Sequence, residues 1–326
     1  MVKKKNALKS GSKDEISEID LAAIKTISIK DRGSKVHIRD MGRPVKGGKA
    51  FKNWLKGLPR QLAAERITRL TLEIRRSVAA KDREIVWMMG AHVIKCGLSR
   101  YLIELLRRGY ITTIAVNGAW TIHDLELAFF GETSEDVARN LEKGVFGFSR
   151  ETAEHFFEAV KRGSQDDLGL GASLGRYILK SNAPHKKYSV LAQAYRFGVP
   201  VTVHIAIGTD IINQHPGFDG ALWGELSTRD FRIFSARIER LGRNGGVVLN
   251  VGSAVILPEV FLKAYSIARN LGARFDKLTT CNIDMIQHYR PSENVLKRPT
   301  RNSGSAISLT GHHEIMIPLL YSALLS

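Results

Sequence analysis

One short stretch carries side chains that could move protons. Residues 117–126 read Asn-Gly-Ala-Trp-Thr-Ile-His-Asp-Leu-Glu, after a predicted strand and leading into a helix predicted to begin near Thr121. His123 and Asp124 then lie on the first helical turn, at the edge of a sheet. An imidazole in that place can accept and release protons near neutral pH. We therefore take His123 and Asp124 as acid–base candidates, and a helix cap shared with Thr121 is the alternative for Asp124.

A second group of titratable side chains lies between residues 203 and 220. It holds His204, Asp210, His215 and Asp219, which could ligate a metal or hydrogen-bond one another. Their spacing matches no standard metal motif, so we predict no metal and expect a polar pocket for an amine or amino acid. The residues predicted to line the substrate side are His204, Asp210, His215 and His288.

Small and polar residues follow the predicted strands of the chain. Ligands of open parallel sheets bind outside the carboxyl ends of the strands, and glycine lets a backbone approach a ligand closely. These ends predict one crevice of nucleotide size, with tight strand-to-helix turns as the alternative. The residues predicted to line it are Gly90, His92, Lys95, Gly97, Asn117, Gly118, Ala119, Gly252, Ser253, Ala254, Thr280 and Asn282. A glycine-rich run at 169–175 follows no strand, so we reject it as a dinucleotide fingerprint. Cys96 is expected to be a buried small residue.

The elements that must position these residues alternate along the chain. Apolar runs predict strands at Glu84–Met89, Ile111–Val116, Val199–Ile207, Gly246–Val251 and Phe275–Ile283. Amphipathic segments predict helices at 60–80, Leu98–Arg108, His123–Phe130, Glu151–Lys161, Tyr188–Phe197, Thr228–Leu241 and Pro258–Leu271. Continuously apolar strands that alternate with helices are typical of a parallel sheet covered on both faces. We predict an α/β fold with a Rossmann-like, doubly wound parallel sheet.

The positive charge is concentrated at the N-terminus. Residues 1–60 hold 16 Lys and Arg against 6 Asp and Glu, a net of +10 out of +17 for the chain. We expect residues 1–60 to form a basic tail and an irregular extension, and residues 61–326 to form a single domain. The basic arm could contact nucleic acid or an acidic partner. The alternative is a solvated arm, because no nucleic-acid-binding motif accompanies it.

Other features indicate where the protein works and how the chain ends. No apolar run reaches the roughly 18 residues of a membrane-spanning helix, and no signal peptide is evident. Two cysteines fit a reducing cytoplasm, so we predict a cytoplasmic protein without a membrane partner. His312-His313-Glu314 is expected to begin the last helix. The apolar segment Glu314–Leu325 is expected to dock on the body, or between chains.

In order and spacing, these segments resemble the deoxyhypusine synthase superfamily over roughly residues 84–290. Ala91–Gly97 stands where that family has its first cofactor-binding loop, and Asn117–Leu125 stands at its Thr-Ala-Gly-Gly loop and following acidic residues. Leu174–Ile178, followed by a Gly-Val-Pro-Val strand, is similar to a helix-then-strand signature of the family. Gly252–Ile256 replaces its Gly-Gly-Gly-Val-Val segment. The stretch from Asn117 to Gly131 also resembles the NAD-binding domain of archaeal-type ornithine cyclodeaminases.

These resemblances imply NAD as cofactor, an amine or amino-acid substrate, and a homotetramer. They also imply transient hydride removal from the carbon that bears the nitrogen. Two departures speak against true deoxyhypusine synthesis. Leu257 stands where the family has its imine-forming lysine, and His123 replaces an acidic residue. The alternatives are a non-catalytic NAD-binding or interaction protein, and a metal-dependent hydrolase that uses the His/Asp cluster.

Overall fold

The computed structural model describes residues 19–326, so the predicted tail at residues 1–18 lies outside the described chain. The strands are β1 (Ser34–His37), β2 (Glu84–Met89), β3 (Thr113–Asn117), β4 (Glu132–Glu135), β5 (Val201–His204), β6 (Gly246–Val251), β7 (Leu278–Asp284) and β8 (Ser305–Thr310). They form a two-stranded ribbon of β1 and β4 and a six-stranded main sheet.

The α-helices lie between these strands and after them. They are α1 (Ile29–Arg32), α2 (Lys49–Lys56), α3 (Leu62–Ala80), α4 (His92–Lys95), α5 (Ser99–Arg107), α6 (Gly118–Phe130), α7 (Val137–Glu142), α8 (Arg150–Gln165), α9 (Leu170–Lys180), α10 (Val190–Arg196), α11 (Gly220–Asn244), α12 (Ile256–Asn270) and α13 (His313–Leu324). Short 3-10 turns and one π-helical segment at Pro291–Lys297 complete the chain. No helix of residues 19–326 combines the length and apolar character needed to span a membrane.

The main sheet is parallel throughout and has the order β5-β3-β2-β6-β7-β8. Numbered along the chain within this sheet, the order is 3-2-1-4-5-6, that of dinucleotide-binding doubly wound folds. Strands β3 and β5 extend the sheet on one side of β2, and strands β6, β7 and β8 extend it on the other side. A crevice is expected outside the carboxyl ends of β2 and β6, where the direction reverses. The predicted Rossmann-like α/β fold is confirmed.

Helices cover both faces of this sheet, as the uninterrupted apolar strands predict. Successive residues of a strand point to opposite faces, so Trp87 and Met89 pack into one core cluster and Val86 and Met88 into another. The first cluster contains side chains from α3, α5, α6, α10 and α13, and the second contains side chains from α11 and α12. All six residues of β2 are buried, including Glu84, whose carboxylate pairs with two arginines of α11.

Two boundaries differ from the prediction in ways that matter for the site. Helix α6 begins at Gly118, not near Thr121, because the Asn117 side chain accepts a hydrogen bond from the Trp120 N–H and caps the helix directly after β3. Strand β8 was not predicted. It is an edge strand in which only two of the six residues are buried and two are exposed, so it lacks the continuous apolar run of the central strands.

The C-terminal segment docks on the body of the same chain, as predicted. Ile317, Leu320 and Tyr321 of α13 are buried, and the Tyr321 ring meets the Tyr101 ring edge-to-face at 5.2 Å. Arg75 of α3 donates hydrogen bonds to the carbonyl oxygens of the last residues. This apolar surface is therefore used within the chain, and it no longer supplies a reason of its own to expect a homotetramer.

The described part of the N-terminal extension forms short elements that pack on the domain. Strand β1 pairs antiparallel with β4, and Ile27 forms a bridge to Ser149. The Arg32 side chain enters the domain and is buried there. The predicted boundary at residue 60 stays a prediction, and so does a role for the basic tail.

Candidate functional site

A polar pocket opens where β3 ends and α6 begins. Its volume is about 240 Å³. We call it the His123 pocket, and its walls are Arg32, Lys95, Ala119, Ile122, His123, Glu126, Ser134, Glu135, Val137, Phe146, Thr209, Asp210 and Ile211. It lies on the carboxyl side of the main sheet, where a parallel α/β sheet binds its ligands.

The hydrogen bonds around His123 fix which of its ring nitrogens carries the proton. The Thr133 hydroxyl donates its proton to the Glu126 carboxylate, so the same oxygen must accept from Nδ1–H of His123, at 2.7 Å. Nε2 is then the unprotonated nitrogen, and it forms no hydrogen bond with any residue of 19–326. Burial lowers the pKa of His123 to about 4, so the ring is neutral at pH 7. The pocket wall thus presents an unprotonated nitrogen, which burial makes a weaker base than the near-neutral imidazole that the sequence predicts.

Glu126, at the other end of this chain of hydrogen bonds, is ionised and held by Arg32. The Arg32 guanidinium donates to both carboxylate oxygens, at 2.7 and 3.1 Å, and both side chains are almost wholly buried. Burial on its own would raise the pKa of Glu126, but the charge and hydrogen bond of Arg32 outweigh it and keep the pKa below its usual value. The ion pair therefore keeps Glu126 ionised. Its carboxylate can then accept from the Thr133 hydroxyl, which in turn orients His123.

Asp210 supplies a carboxylate to the same pocket. It lies against the first residues of α6, and the Ala119 N–H donates to it. Burial raises the pKa of Asp210 to about 6, so the carboxylate is ionised near neutral pH and loses its charge in mild acid. Lys95 adds an exposed ammonium at the wall, and Glu135 adds a second carboxylate. The pocket thus offers groups of both charges beside a neutral base.

Asp124 does not face this pocket. Its carboxylate is fully buried and accepts hydrogen bonds from the Ser189 hydroxyl and from the N–H groups of Val190 and Leu191, at the start of α10. The physical reason is that neighbouring side chains of a helix point about 100° apart, so with His123 in the pocket Asp124 faces α10. Burial raises the pKa of Asp124 to about 6. Asp124 anchors α10 to α6, and we withdraw it from the acid–base pair.

Of the four residues predicted for the substrate side, only Asp210 joins His123. His204 ends β5 and faces a separate cleft of about 500 Å³ beside α11 and α12. His215 is buried, and its Nε2 donates to the Gly147 carbonyl oxygen at 2.8 Å. His288 is exposed after β7, and Asp219 caps the N-terminus of α11. The four side chains between residues 203 and 220 therefore do not converge on one point.

Most residues predicted for the cofactor do lie around the switch point of the sheet. Gly90 follows β2, and Gly252, Ser253 and Ala254 follow β6. A Cβ added at Gly90 would lie 2.0 Å from the Gly252 carbonyl oxygen, so the two chain segments touch and only glycine fits there. The β3 end adds Asn117, Gly118 and Ala119, while His92 and Lys95 follow in α4. Their contact with NAD stays a prediction.

Three predicted cofactor residues are placed elsewhere. Strand β7 continues to Asp284, so Thr280 and Asn282 lie within the strand rather than after it. Thr280 is buried, and the Asn282 side chain exchanges hydrogen bonds with Asn250 and Gln287. Gly97 packs against the N-terminal extension, where its carbonyl oxygen accepts from the Gly42 N–H.

Sequence reasoning missed two residues that shape the His123 pocket. Arg32 reaches Glu126 across 94 residues of chain, a pairing that no local spacing indicates. Thr133 lies seven residues beyond Glu126, in β4. The residue after it, Ser134, has a φ of +64° and lines the pocket. Such a backbone conformation is rare for a residue with a side chain and clusters at functional sites.

Comparison with known proteins gives a family match over part of the chain. A family model described as arginine dihydrolase ArgZ-like, C-terminal, Rossmann fold matches residues 66–165. That range contains β2, β3, α6 and His123. The comparison with curated proteins finds no match.

The chain is also similar to several solved structures. A conserved protein described as LOR/SDH, from Methanococcus maripaludis S2, is 14% identical with a TM-score of 0.50, over 81% of this chain and 70% of that chain. AgrE in complex with ornithine and NAD⁺ is 16% identical with a TM-score of 0.49; the match covers 79% of this chain but 32% of AgrE. A protein described as a deoxyhypusine synthase from Entamoeba histolytica is 11% identical with a TM-score of 0.48, over 86% and 96%. The likeness to the Methanococcus maripaludis protein and the family model both agree with the predicted Rossmann-like fold.

Proposed function

We propose that this protein binds NAD across the carboxyl ends of its strands and oxidises an amine or amino acid held in the His123 pocket. The observation that carries the proposal is that the neutral His123, with Nε2 free, and the Asp210 carboxylate line the same small pocket. The 3-2-1-4-5-6 strand order supports the cofactor half of the proposal. A cytoplasmic location and a homotetramer belong to the same proposal.

The residues at the switch point fit a dinucleotide. At Gly90 and Gly252 the chain segments after β2 and β6 pack directly against each other, and Gly252 has a φ of +66°, which favours glycine. Beside Gly252, Nδ1 of His313 is buried without a hydrogen-bond partner, as an acceptor that a ligand hydroxyl can fill. The Lys95 ammonium forms no ion pair among residues 19–326 and can meet a phosphate. NAD, when bound, supplies a hydride acceptor.

The His123 pocket suits a substrate far smaller than the cofactor. Its 240 Å³ is below the range of pockets that take drug-sized ligands, and it fits a single amine or amino acid. An ionised Asp210 can bind the ammonium group of such a molecule through a charge-assisted hydrogen bond. Asp210 would thus orient the carbon–nitrogen bond toward His123, and Lys95 stays available to the cofactor.

His123 would take the proton that this oxidation releases. As the carbon–nitrogen single bond of the bound ammonium becomes the double bond of an iminium ion, the carbon loses a hydride and the nitrogen loses one proton to Nε2 of His123. The ring keeps Nδ1–H on Thr133, and the Glu126 carboxylate stabilises the positive charge that develops. Leu257 is fully buried in the second core cluster and has no amine, so no imine with the protein forms there.

The proposal predicts how ligand affinity depends on pH and on Asp210. We expect amino acids to bind more tightly than their analogues without the amino group, and binding to weaken as the pH falls below about 6, where Asp210 takes up a proton. Asp210→Asn should weaken binding about 10- to 100-fold at pH 7.5, the value of one hydrogen bond to a charged group. Calorimetry over a panel of amines, amino acids and deaminated analogues measures this.

Asp219→Asn is the matched control, because Asp219 is an exposed helix cap away from the pocket. It should leave affinity and pH dependence unchanged. Equal binding of amino acids and deaminated analogues, or equal affinity in the wild type and Asp210→Asn, contradicts an amine site in the His123 pocket.

A further inference from the structure

Three side chains that commonly bind metals meet beside the switch point, outside the His123 pocket. They are His92 in α4, Cys96 in the turn after it, and Glu314 in the first turn of α13. One donor atom of each lies within 4.8 Å of the other two. Cys96 Sγ is 3.1 Å from Nε2 of His92 and 3.7 Å from Oε2 of Glu314. We call these residues the His92 cluster.

The spacing of the donor atoms matches a tetrahedral zinc ion. Bonds of about 2.0 Å to nitrogen and oxygen and about 2.3 Å to sulfur place neighbouring donors roughly 3.4–3.6 Å apart at tetrahedral angles. The two sulfur distances in the cluster lie on either side of that value, within a small rotation of a side chain. Imidazole, thiolate and carboxylate are the ligands that zinc uses in proteins. A thiolate and a carboxylate also balance the double charge of the ion.

The fold holds the cluster in place from two directions. The Cys96 N–H donates to the His92 carbonyl oxygen at 2.9 Å, which keeps both side chains on one face of the chain. Glu314 is positioned by its neighbour His313, whose buried ring donates from Nε2 to the Ile283 carbonyl oxygen at 3.2 Å. The His313 ring also meets the His92 ring edge-to-face, with centroids 5.5 Å apart. Both halves are therefore anchored to the sheet.

We propose that His92, Cys96 and Glu314 bind a zinc ion through one donor atom each and leave its fourth position open. Cys96, predicted from the sequence to be buried, is partly exposed, and the side chains of His92 and Glu314 are exposed. Solvent therefore reaches the centre of the cluster. Zinc sites with three protein ligands hold a water or a substrate atom in the fourth position.

This zinc site is independent of the proposed amine oxidation. It shares no residue with the walls of the His123 pocket. It does lie next to the Gly252 loop, since a Cβ added at Gly252 would be 2.8 Å from the His313 ring. His92, predicted to contact the cofactor, becomes a metal ligand. The protein can therefore bind an amine without binding a metal, and it can bind a metal without binding an amine, so the two proposals are tested separately.

Cobalt(II) is the probe for this site, because it replaces zinc and reports its ligands by absorption. The full-length protein, stripped with a chelator, is titrated with Co²⁺ and then with Zn²⁺. We expect one equivalent of Co²⁺ to give a thiolate charge-transfer band and the intense visible bands of a four-coordinate ion, and Zn²⁺ to remove both. Cys96→Ser should abolish the charge-transfer band. His92→Ala and Glu314→Gln should each weaken binding by more than about tenfold.

The second cysteine provides the matched control. Cys281 is fully buried inside β7, and Cys281→Ala should keep the band and the affinity of the wild type. Circular dichroism of each variant verifies the fold. The proposal is overturned if the wild type gives no charge-transfer band at millimolar Co²⁺. It is also overturned if the band survives Cys96→Ser, or if folded His92→Ala and Glu314→Gln bind as tightly as the wild type.

Discussion

His123→Ala is expected to lower turnover of the amine substrate by about 10²- to 10⁴-fold, the usual contribution of a general base. Nε2 of His123 is the free basic nitrogen in the pocket wall, and the low pKa of the ring keeps it neutral at working pH. The substitution removes that nitrogen but leaves the strand ends and the Arg32–Glu126 pair in place. Affinity for NAD should therefore change little. Single-turnover absorbance of the reduced cofactor, with NAD binding measured separately, gives both quantities.

His123→Gln separates proton transfer from packing. A glutamine amide can still donate to Thr133, so the pocket keeps its shape, but it cannot accept a proton near neutral pH. The glutamine variant should be as slow as the alanine variant while matching the wild type in thermal stability. Wild-type turnover in either folded variant removes His123 from the mechanism.

Arg32→Met is expected to destabilise the fold by about 3–5 kcal/mol, because it leaves the Glu126 carboxylate buried without a counter-charge. Side-chain exposure is 2% for Arg32 and 1% for Glu126, so water cannot compensate the lost partner. Adding Glu126→Gln to this variant should restore part of the stability, since a neutral amide needs no counter-charge. Denaturant unfolding followed by circular dichroism measures the free energies.

The loss of folding stability in Arg32→Met is expected to depend on pH in one direction. In the wild type the pKa of Glu126 lies below 4.5, so its stabilising contribution is present above that value and is lost as the pH falls through the lower folded value. In Arg32→Met the hydrogen bonds from Thr133 and Thr152 remain, but the counter-charge that opposed burial is gone and the pKa of Glu126 rises. Acid then neutralises the carboxyl group and removes the cost of its buried charge. The difference in the free energy of unfolding between the wild type and Arg32→Met should therefore be largest at pH 7 and become smaller in acid.

Arg76→Met is the control for this experiment. Arg76 pairs with Glu73 at 2.7 Å, but 58% of its side chain is exposed, and such pairs contribute only about 0–1 kcal/mol. A loss for Arg32→Met no larger than that for Arg76→Met contradicts the assignment of the buried pair. The assignment is also contradicted if the difference in the free energy of unfolding between the wild type and Arg32→Met becomes larger as the pH falls.

The sheet and its helices could be predicted because burial leaves a periodic pattern in the sequence. The run Glu84–Met89 reads as a buried strand, and β2 has those bounds. His123 was found because a polar sequence directly after a strand points to the ligand-binding edge of a parallel sheet. Local patterns of this kind predict the fold and the side of the pocket that α6 forms.

The remainder depends on contacts between distant parts of the chain. Nothing near Arg32 shows that it meets Glu126, and nothing near Cys96 shows that it meets Glu314, 218 residues later. Asp124 was misassigned because neighbouring side chains of a helix point about 100° apart, so Asp124 cannot face the pocket that His123 faces. Positions inside an element are thus predicted better than the contacts made at its ends.

Calorimetric titration with NAD⁺ tests the central claim most directly. The account predicts saturable binding of the full-length protein in the micromolar range or tighter, about −8 kcal/mol or more favourable, with a matching rise in thermal midpoint. Absence of heat and of any thermal shift, with both NAD⁺ and NADP⁺, would contradict the claim that the carboxyl ends of this sheet hold a nicotinamide dinucleotide.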